Sequence, residues 1–216
     1  MWLLRPPGVY RPQGDTWLLA RALSAAGVRP GGAVLDVGCG TGALSVLAAE
    51  LAPRSMTAMD VSRRAVWATR FNTAVRGQAV TVRRGDALSL DQSFDLILAN
   101  PPYVPGVDVV PTRGRRRAWE AGPDGRAVLD RLCALAPMLL SPGGLLLTVH
   151  SELCGVDRTL HQLRGGGLKA SVVARVQEPF GPVMRARADE LRASGLLGPN
   201  QRTEELVVIR GERPTG

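Results

Sequence analysis

The stretch from Ala33 to Leu51 constrains the fold more than any other. A short apolar run, Ala33 to Val37, breaks into Gly38-Cys39-Gly40-Thr41-Gly42, after which apolar residues resume at helical spacing from Ala43 to Leu51. A brief apolar run bounded by turn residues is the pattern of a buried strand, and a repeat near 3.6 residues is that of a helix. Glycines between the two let the chain reverse sharply and let a ligand approach the backbone. Strand, tight turn and helix make one βα unit.

The same alternation continues along the chain. A lead-in helix is expected at Asp15 to Ala26, closed by Gly27. After the first unit come a strand near Met56 to Asp60, a helix at Arg63 to Val75, and strands at Ala79 to Arg83 and Phe94 to Ala99. A helix at Arg126 to Leu140 and a strand at Gly144 to His150 follow. The last third reads as a helix near Val156 to Leu163, a strand at Ala170 to Gln177, a helix near Val183 to Ser194 and a strand at Glu205 to Arg210. Such alternation predicts an α/β fold with a seven-stranded, doubly wound, mostly parallel sheet. At 216 residues with no linker-like stretch, we expect one domain over residues 1–216, with 1–30 as a lead-in segment and helix.

Charge and cysteines bound the setting. Net charge is +8, carried almost wholly by arginine, since Lys169 is the sole lysine. An anionic partner such as RNA, a ribosomal complex or an acidic protein fits that balance; a genomic base bias toward arginine, alanine, glycine and proline fits it equally. Cys39, Cys133 and Cys154 are widely spaced with no C-x-x-C pair, which points to neither a disulfide framework nor a metal site. No apolar run reaches the roughly 18 residues of a membrane span, and the N-terminus lacks a cleavable-leader pattern, so a cytoplasmic protein without membrane contact is expected.

Three features define a ligand site. The loop spacing G-x-G-x-G is one residue shorter than the G-x-G-x-x-G that cradles a dinucleotide pyrophosphate, which disfavours a nicotinamide cofactor. Asp60 ends the second strand, where a carboxylate can accept from both hydroxyls of a ribose. Asp86 closes the third, where it can accept from an adenine amino group while the Ala87 N–H meets a ring nitrogen. The plainer reading makes Asp60 and Asp86 solvated strand-end caps and Cys39 a small loop residue. Asp36 is expected to orient the loop and the amino-acid end of the ligand.

The fourth strand runs into Asn100-Pro101-Pro102-Tyr103. Two prolines remove N–H donors and stiffen the backbone, leaving a rigid ledge rich in acceptors. A planar NH2 group has a delocalised lone pair and reacts poorly, so orientation and charge placement must supply the catalysis. On this ledge the Asn100 side-chain oxygen and the Pro101 carbonyl each accept one N–H, with Tyr103 stacking on the flat group. No general base is required, because the substituted nitrogen becomes acidic as it forms. His150 and His161 are accordingly expected to be structural or solvent-facing.

The set V-L-D-x-G-x-G-x-G, an acid ending the second strand and an acid ending the third resembles the Rossmann-like class I S-adenosylmethionine methyltransferases. That resemblance implies S-adenosyl-L-methionine as cofactor, with S-adenosyl-L-homocysteine as product. It also implies cofactor contacts from Thr16, Asp36, Gly38, Cys39, Gly40, Gly42, Asp60, Val61, Asp86, Ala87 and Asn100, with Asn100, Pro101, Pro102 and Tyr103 as the catalytic loop. N-P-P-Y is similar to the loop of amino-methyltransferases acting on glutamine amides, adenine N6 or guanine N2.

Val9-Tyr10-Arg11-Pro12-Gln13-Gly14-Asp15-Thr16-Trp17-Leu18-Leu19 and Ala118-Trp119-Glu120-Ala121-Gly122-Pro123-Asp124-Gly125-Arg126 look like the HemK family of protein glutamine methyltransferases. The likeness runs from about Val9 to Val149 and is to the short branch that lacks an N-terminal helical domain. It implies the Gly-Gly-Gln glutamine of a peptide-chain release factor as substrate and a small activator subunit as partner. The sequence departs from the family at Gly14, where an acid is common, and in Arg113-Gly114-Arg115-Arg116-Arg117. In that run Arg113, Arg115, Arg116 and Arg117 either contact RNA or a ribosomal surface or are simply solvated. An RNA or DNA amino-methyltransferase, a small-molecule N-methyltransferase and a non-catalytic cofactor-binding scaffold remain alternatives.

Overall fold

The computed structural model describes residues 1–28, 30–106 and 121–215. The arginine run Arg113 to Arg117, and with it Ala118, Trp119 and Glu120, lies outside the described residues. In chain order the elements are α1 (Gly14–Ala25), β1 (Ala33–Val37), α2 (Ala43–Ala49), β2 (Ser55–Asp60), α3 (Arg63–Ala74), β3 (Thr81–Arg84) and β4 (Phe94–Ala99). They continue as α4 (Ala127–Leu139), β5 (Leu140–Ser151), α5 (Val156–Gly165), β6 (Lys169–Pro179), α6 (Pro182–Ala193) and β7 (Thr203–Glu212). Short 3-10 turns follow β3 at Ala87–Ser89 and β5 at Glu152–Cys154.

The seven strands form one sheet in the order β3-β2-β1-β4-β5-β7-β6, so every predicted strand is present. β1, β2, β3, β4 and β5 pair in parallel, while β7 runs antiparallel to both β5 and β6. β1 is buried at every position, and β4 at all but Asp95, as strands covered on both faces must be. The order reverses between β1 and β4, which opens a crevice at their carboxyl ends where ligands of such sheets bind. Among the described residues no helix is long and apolar enough to cross a membrane.

One boundary differs instructively from the sequence expectation. β5 starts at Leu140 rather than Gly144, because Leu140 pairs with Phe94 before the register shifts, and Leu145 then pairs with Leu96. The intervening Ser141-Pro142-Gly143-Gly144 carries turn residues, so a sequence reading places the strand after them. α4 therefore passes into the sheet with no separate linker.

Arg126, just before α4, is 2% exposed, among the most deeply buried large side chains. It donates to Asp130 Oδ1 at 2.8 Å, Thr159 Oγ1 at 3.0 Å, Gln162 Oε1 at 2.8 Å, Gly155 O at 3.2 Å and also to Cys154 O. A buried guanidinium is tolerated only when its donors are used, and here they tie α4 to the turn entering α5. We predict that Arg126→Met lowers unfolding free energy by about 3 kcal/mol in a urea titration, since it leaves carbonyls and the Gln162 oxygen without donors. An unchanged midpoint would show that water replaces the guanidinium at no cost.

Candidate active site

The crevice at the carboxyl edge is a cleft of about 520 Å³. Its first wall is the glycine loop. Gly38 and Cys39 both donate their N–H to Met59 O, at 2.8 and 3.0 Å, and Gly42 donates to Cys39 O at 2.7 Å. α3 fastens the loop from behind, with Thr69 donating to Gly40 O at 3.2 Å and Asn72 to Thr41 O at 2.9 Å. Gly38 has φ +71°, and a Cβ built there meets nothing within 4 Å, so the loop presents open space to the cleft.

Asp60, at the end of β2, joins the second wall to the first. Its Oδ2 accepts the Gly40 N–H at 3.1 Å and its Oδ1 accepts the Ser62 N–H at 2.7 Å. Each oxygen of a carboxylate offers two lone pairs, so hydroxyl donors from a ligand can still be received. Asp86 caps its own 3-10 turn by accepting from Leu88 N at 3.0 Å, and it pairs with Arg131 of α4 at 2.8 Å. Arg131 lines the cleft and was not anticipated from sequence.

Asp36 and Gly42 are the two expected cofactor residues that do not line the cleft. Asp36 lies beneath the loop, 1% exposed, where its Oδ2 receives the Ser45 hydroxyl at 2.5 Å while Oδ1 has no partner among the described residues. Burial raises its pKa to about 7, against the opposing pull of the Ser45 hydroxyl. From this position beneath the glycine loop it supports the loop without lining the cleft. The Cys39 thiol, 3.2 Å from the Thr69 hydroxyl oxygen, is pushed well above its ordinary pKa by burial, so it is a packed loop residue and no nucleophile.

The acceptor wall is built around Asp15 in the first turn of α1. This carboxylate is 2% exposed and collects four donors. Tyr10 Oη reaches Oδ2 at 2.8 Å and Tyr103 Oη reaches the same atom at 3.1 Å. The Thr16 N–H and hydroxyl reach Oδ1 at 2.6 and 3.1 Å. Because the Thr16 hydroxyl spends its proton on Asp15, its oxygen can only accept, and the Asn100 Nδ2 donates to it at 3.2 Å. The Asn100 amide is thereby oriented with nitrogen toward Thr16 and oxygen away from it. Asp15 thus holds the N-P-P-Y loop at both ends, by Asn100 through Thr16 and by Tyr103 directly.

Gly125 supports the loop from below. Its φ is +70°, and a Cβ there would collide with the Tyr103 carbonyl, so only glycine lets the two backbones close to contact. Cys154 Sγ also donates to Tyr103 O, at 3.1 Å. Tyr103 is 9% exposed and lines the cleft, and the anchor on its hydroxyl fixes the ring in the cleft wall.

Thr16, Gly38, Cys39, Gly40, Asp60, Val61, Asp86, Ala87, Asn100, Pro101, Pro102 and Tyr103 all line this cleft. Sequence reasoning passed over Tyr10, Gln13, Arg131 and Glu204, which line it too. His150 is fully buried, with burial lowering its pKa to about 4, while His161 is exposed on α5. Among the described residues no three His, Cys, Asp or Glu side chains gather to hold a metal ion.

Residues 2–175 match the methyltransferase small domain family. The mouse methyltransferase HEMK2 is 38% identical over 173 residues, covering 76% of this chain and 81% of that protein. The release factor glutamine methyltransferase of Rhodopirellula baltica is 35% identical over 151 residues, covering 64% of this chain and 51% of its own length, so the chain matches about half of that longer relative. A chain of the E. cuniculi Mtq2–Trm112 complex, which is responsible for methylation of the eRF1 translation termination factor, shares the fold at TM-score 0.67 and 21% identity, covering 95% of this chain and 99% of that one. The chain belongs to the methyltransferase small domain family and, within it, to the HemK-type methyltransferases.

Proposed function

We propose that this enzyme uses S-adenosyl-L-methionine to methylate the side-chain amide nitrogen of a protein glutamine, the Gly-Gly-Gln glutamine of a peptide-chain release factor. The observation that carries the reading is the orientation of Asn100. With its nitrogen committed to Thr16, its oxygen is left as an acceptor on a ledge whose two prolines bring no competing N–H donor. The likeness of this chain to the release factor glutamine methyltransferase of Rhodopirellula baltica supports the choice of glutamine.

The residues present fit the cofactor. The open backbone at Gly38 and Gly40 would receive its amino-acid portion, Asp60 its ribose hydroxyls, and Asp86 and Ala87 its adenine. When bound it supplies an electrophilic methyl group on a sulfonium. The protein does the rest by placement. Asn100 Oδ1 and the Pro101 carbonyl accept the two N–H groups of the substrate amide and turn the face of its nitrogen toward the glycine loop. Both acceptors face growing positive charge as the new N–C bond forms, so they hold the reacting state more strongly than the ground state. The nitrogen then loses one proton to water.

Incubation with labelled S-adenosylmethionine should transfer methyl to a release factor carrying Gly-Gly-Gln and not to one carrying Gly-Gly-Ala, with total RNA assayed alongside. Label in RNA alone would refute the reading. Asn100→Ala should abolish transfer while leaving cofactor affinity intact, because it removes an acceptor for the substrate. A loss of cofactor affinity in that variant would contradict the role given to Asn100.

Asp60→Ala separates the other half of the cleft. It should raise the dissociation constant for S-adenosylmethionine roughly 10- to 100-fold, the worth of a hydrogen bond to a charged group. Calorimetry giving wild-type affinity would place the ribose elsewhere.

A further inference from the structure

β7 runs against its neighbours, so its first residues lie at the carboxyl edge of the parallel strands. Leu206 pairs with Ser151 at the end of β5, and Glu204 pairs with Glu178 near the end of β6. The strand order therefore divides the cleft. β1, β2 and β3 carry the glycine loop, Asp60 and Asp86, while β4, β5, β7 and β6 carry the acceptor half. Glu204 stands in that second half, lines the cleft and is 6% exposed. Its Oε2 has no hydrogen-bond partner among the described residues.

A buried carboxyl oxygen without a donor is costly, and a group that occupies the cleft is the natural source of one. Among the described residues the groups facing Glu204 offer no cation. Asp15 approaches from α1, Glu152 from the turn after β5 and Glu178 from β6, and only the Ser151 hydroxyl favours its charge. Its charge is also felt by the Tyr10 and Tyr103 phenols. α6 packs here through Val183 and Met184, and turns Arg185 onto the Phe180 carbonyl at 2.8 Å and Arg187 onto the Pro105 carbonyl. Glu178 lies against Gly14, where a Cβ would meet its carboxyl carbon at 2.8 Å.

We propose that Glu204 is a specificity-determining residue that receives a backbone N–H of the substrate peptide beside the methylated glutamine. With Asp15, Glu152 and Glu178 it also makes the acceptor half of the cleft repellent to phosphate. This rests on the glutamine reading above and extends it. Despite the net charge of +8, the local sign at the acceptor half is negative among the described residues, which favours a neutral Gly-Gly-Gln tip over a polynucleotide.

Burial, the largest cause, raises the Glu204 pKa to about 7 together with the nearby Asp15, Glu152 and Glu178, against the Ser151 hydroxyl, which lowers it. In the free enzyme the stronger, charged acceptor is therefore present above neutrality. For wild-type enzyme with a Gly-Gly-Gln release factor, kcat/KM should fall as pH drops through about 7. Glu204→Gln should lower kcat/KM at pH 8 by about tenfold or more and remove that inflection, with an unchanged dissociation constant for S-adenosylmethionine. Asp36 has a similar pKa but lies outside the cleft, so an inflection due to it would survive in the variant.

A thermal melt controls for folding. A carboxyl whose folded pKa is raised contributes stability below its unfolded value and loses it as pH rises through about 7, so the glutamine variant should melt no lower than wild type at pH 8. Glu204→Asp, which keeps the charge, should restore part of the pH inflection. Wild-type kcat/KM and an unaltered pH profile in Glu204→Gln would overturn the proposal while leaving glutamine methylation standing. A reduced cofactor affinity would overturn it by moving Glu204 to the other half. Wild-type enzyme that labels RNA and no peptide would remove both readings, since phosphate would then lie beside these acids.

Discussion

The site depends on one buried carboxylate. Asp15 is almost inaccessible and has no cation among its hydrogen-bond partners in the described residues, where four donors from Tyr10, Thr16 and Tyr103 hold it. An acid buried without those donors would cost several kcal/mol, which is why the lead-in segment, the first turn of α1 and the loop after β4 must close around it together. The closure fixes Tyr103, and through the Thr16 hydroxyl it fixes the Asn100 amide. Methyl transfer to a weakly nucleophilic nitrogen relies on placement, so a group that sets acceptor geometry acts on the reaction without touching the substrate.

The sheet then separates the work of the two halves. Parallel strands on one side of the reversal point end in backbone turns and acids suited to a nucleoside, with α3 fastening the glycine loop through Thr69 and Asn72. On the other side β4 brings the ledge, Gly125 and Cys154 brace its carbonyl, and Arg126 locks the bracing segment to α5. The antiparallel β7 is what brings a residue near the C-terminus to this edge. Had it run parallel, Glu204 would lie at the opposite edge of the sheet, remote from the cleft.

Much of this was legible in the sequence wherever the cause is local. Apolar runs and glycine turns gave the strands and the loop from Gly38 to Gly42, because strand burial and tight turning are properties of a few adjacent residues. N-P-P-Y was legible for the same reason, since two prolines dictate their own backbone. The carboxylate at its back was not, because Tyr103 and Asp15 are 88 residues apart and nothing in either neighbourhood encodes the pairing. Asp36 looked like a ligand contact from its place beside the glycines, but alternation along β1 and its Ser45 partner turn it beneath the loop. Glu204 gave only a faint signal, an acid just ahead of the apolar run Leu206 to Ile209, and Arg131 none apart from its helix. The resemblance around Ala121 to Arg126 gains a physical meaning, because Gly125 closes against the Tyr103 carbonyl and Arg126 ties the same segment to α5.

The most direct measurement is a double-mutant cycle on kcat with a Gly-Gly-Gln release factor, using Asp15→Ala, Tyr103→Phe and the pair. If Asp15 positions the loop through Tyr103, removing the phenol hydroxyl after the carboxylate is gone should cost almost nothing, so the double variant is little worse than Asp15→Ala alone. Single losses that multiply in the double variant would show that the two residues act independently, and that the ledge is held in place by something else.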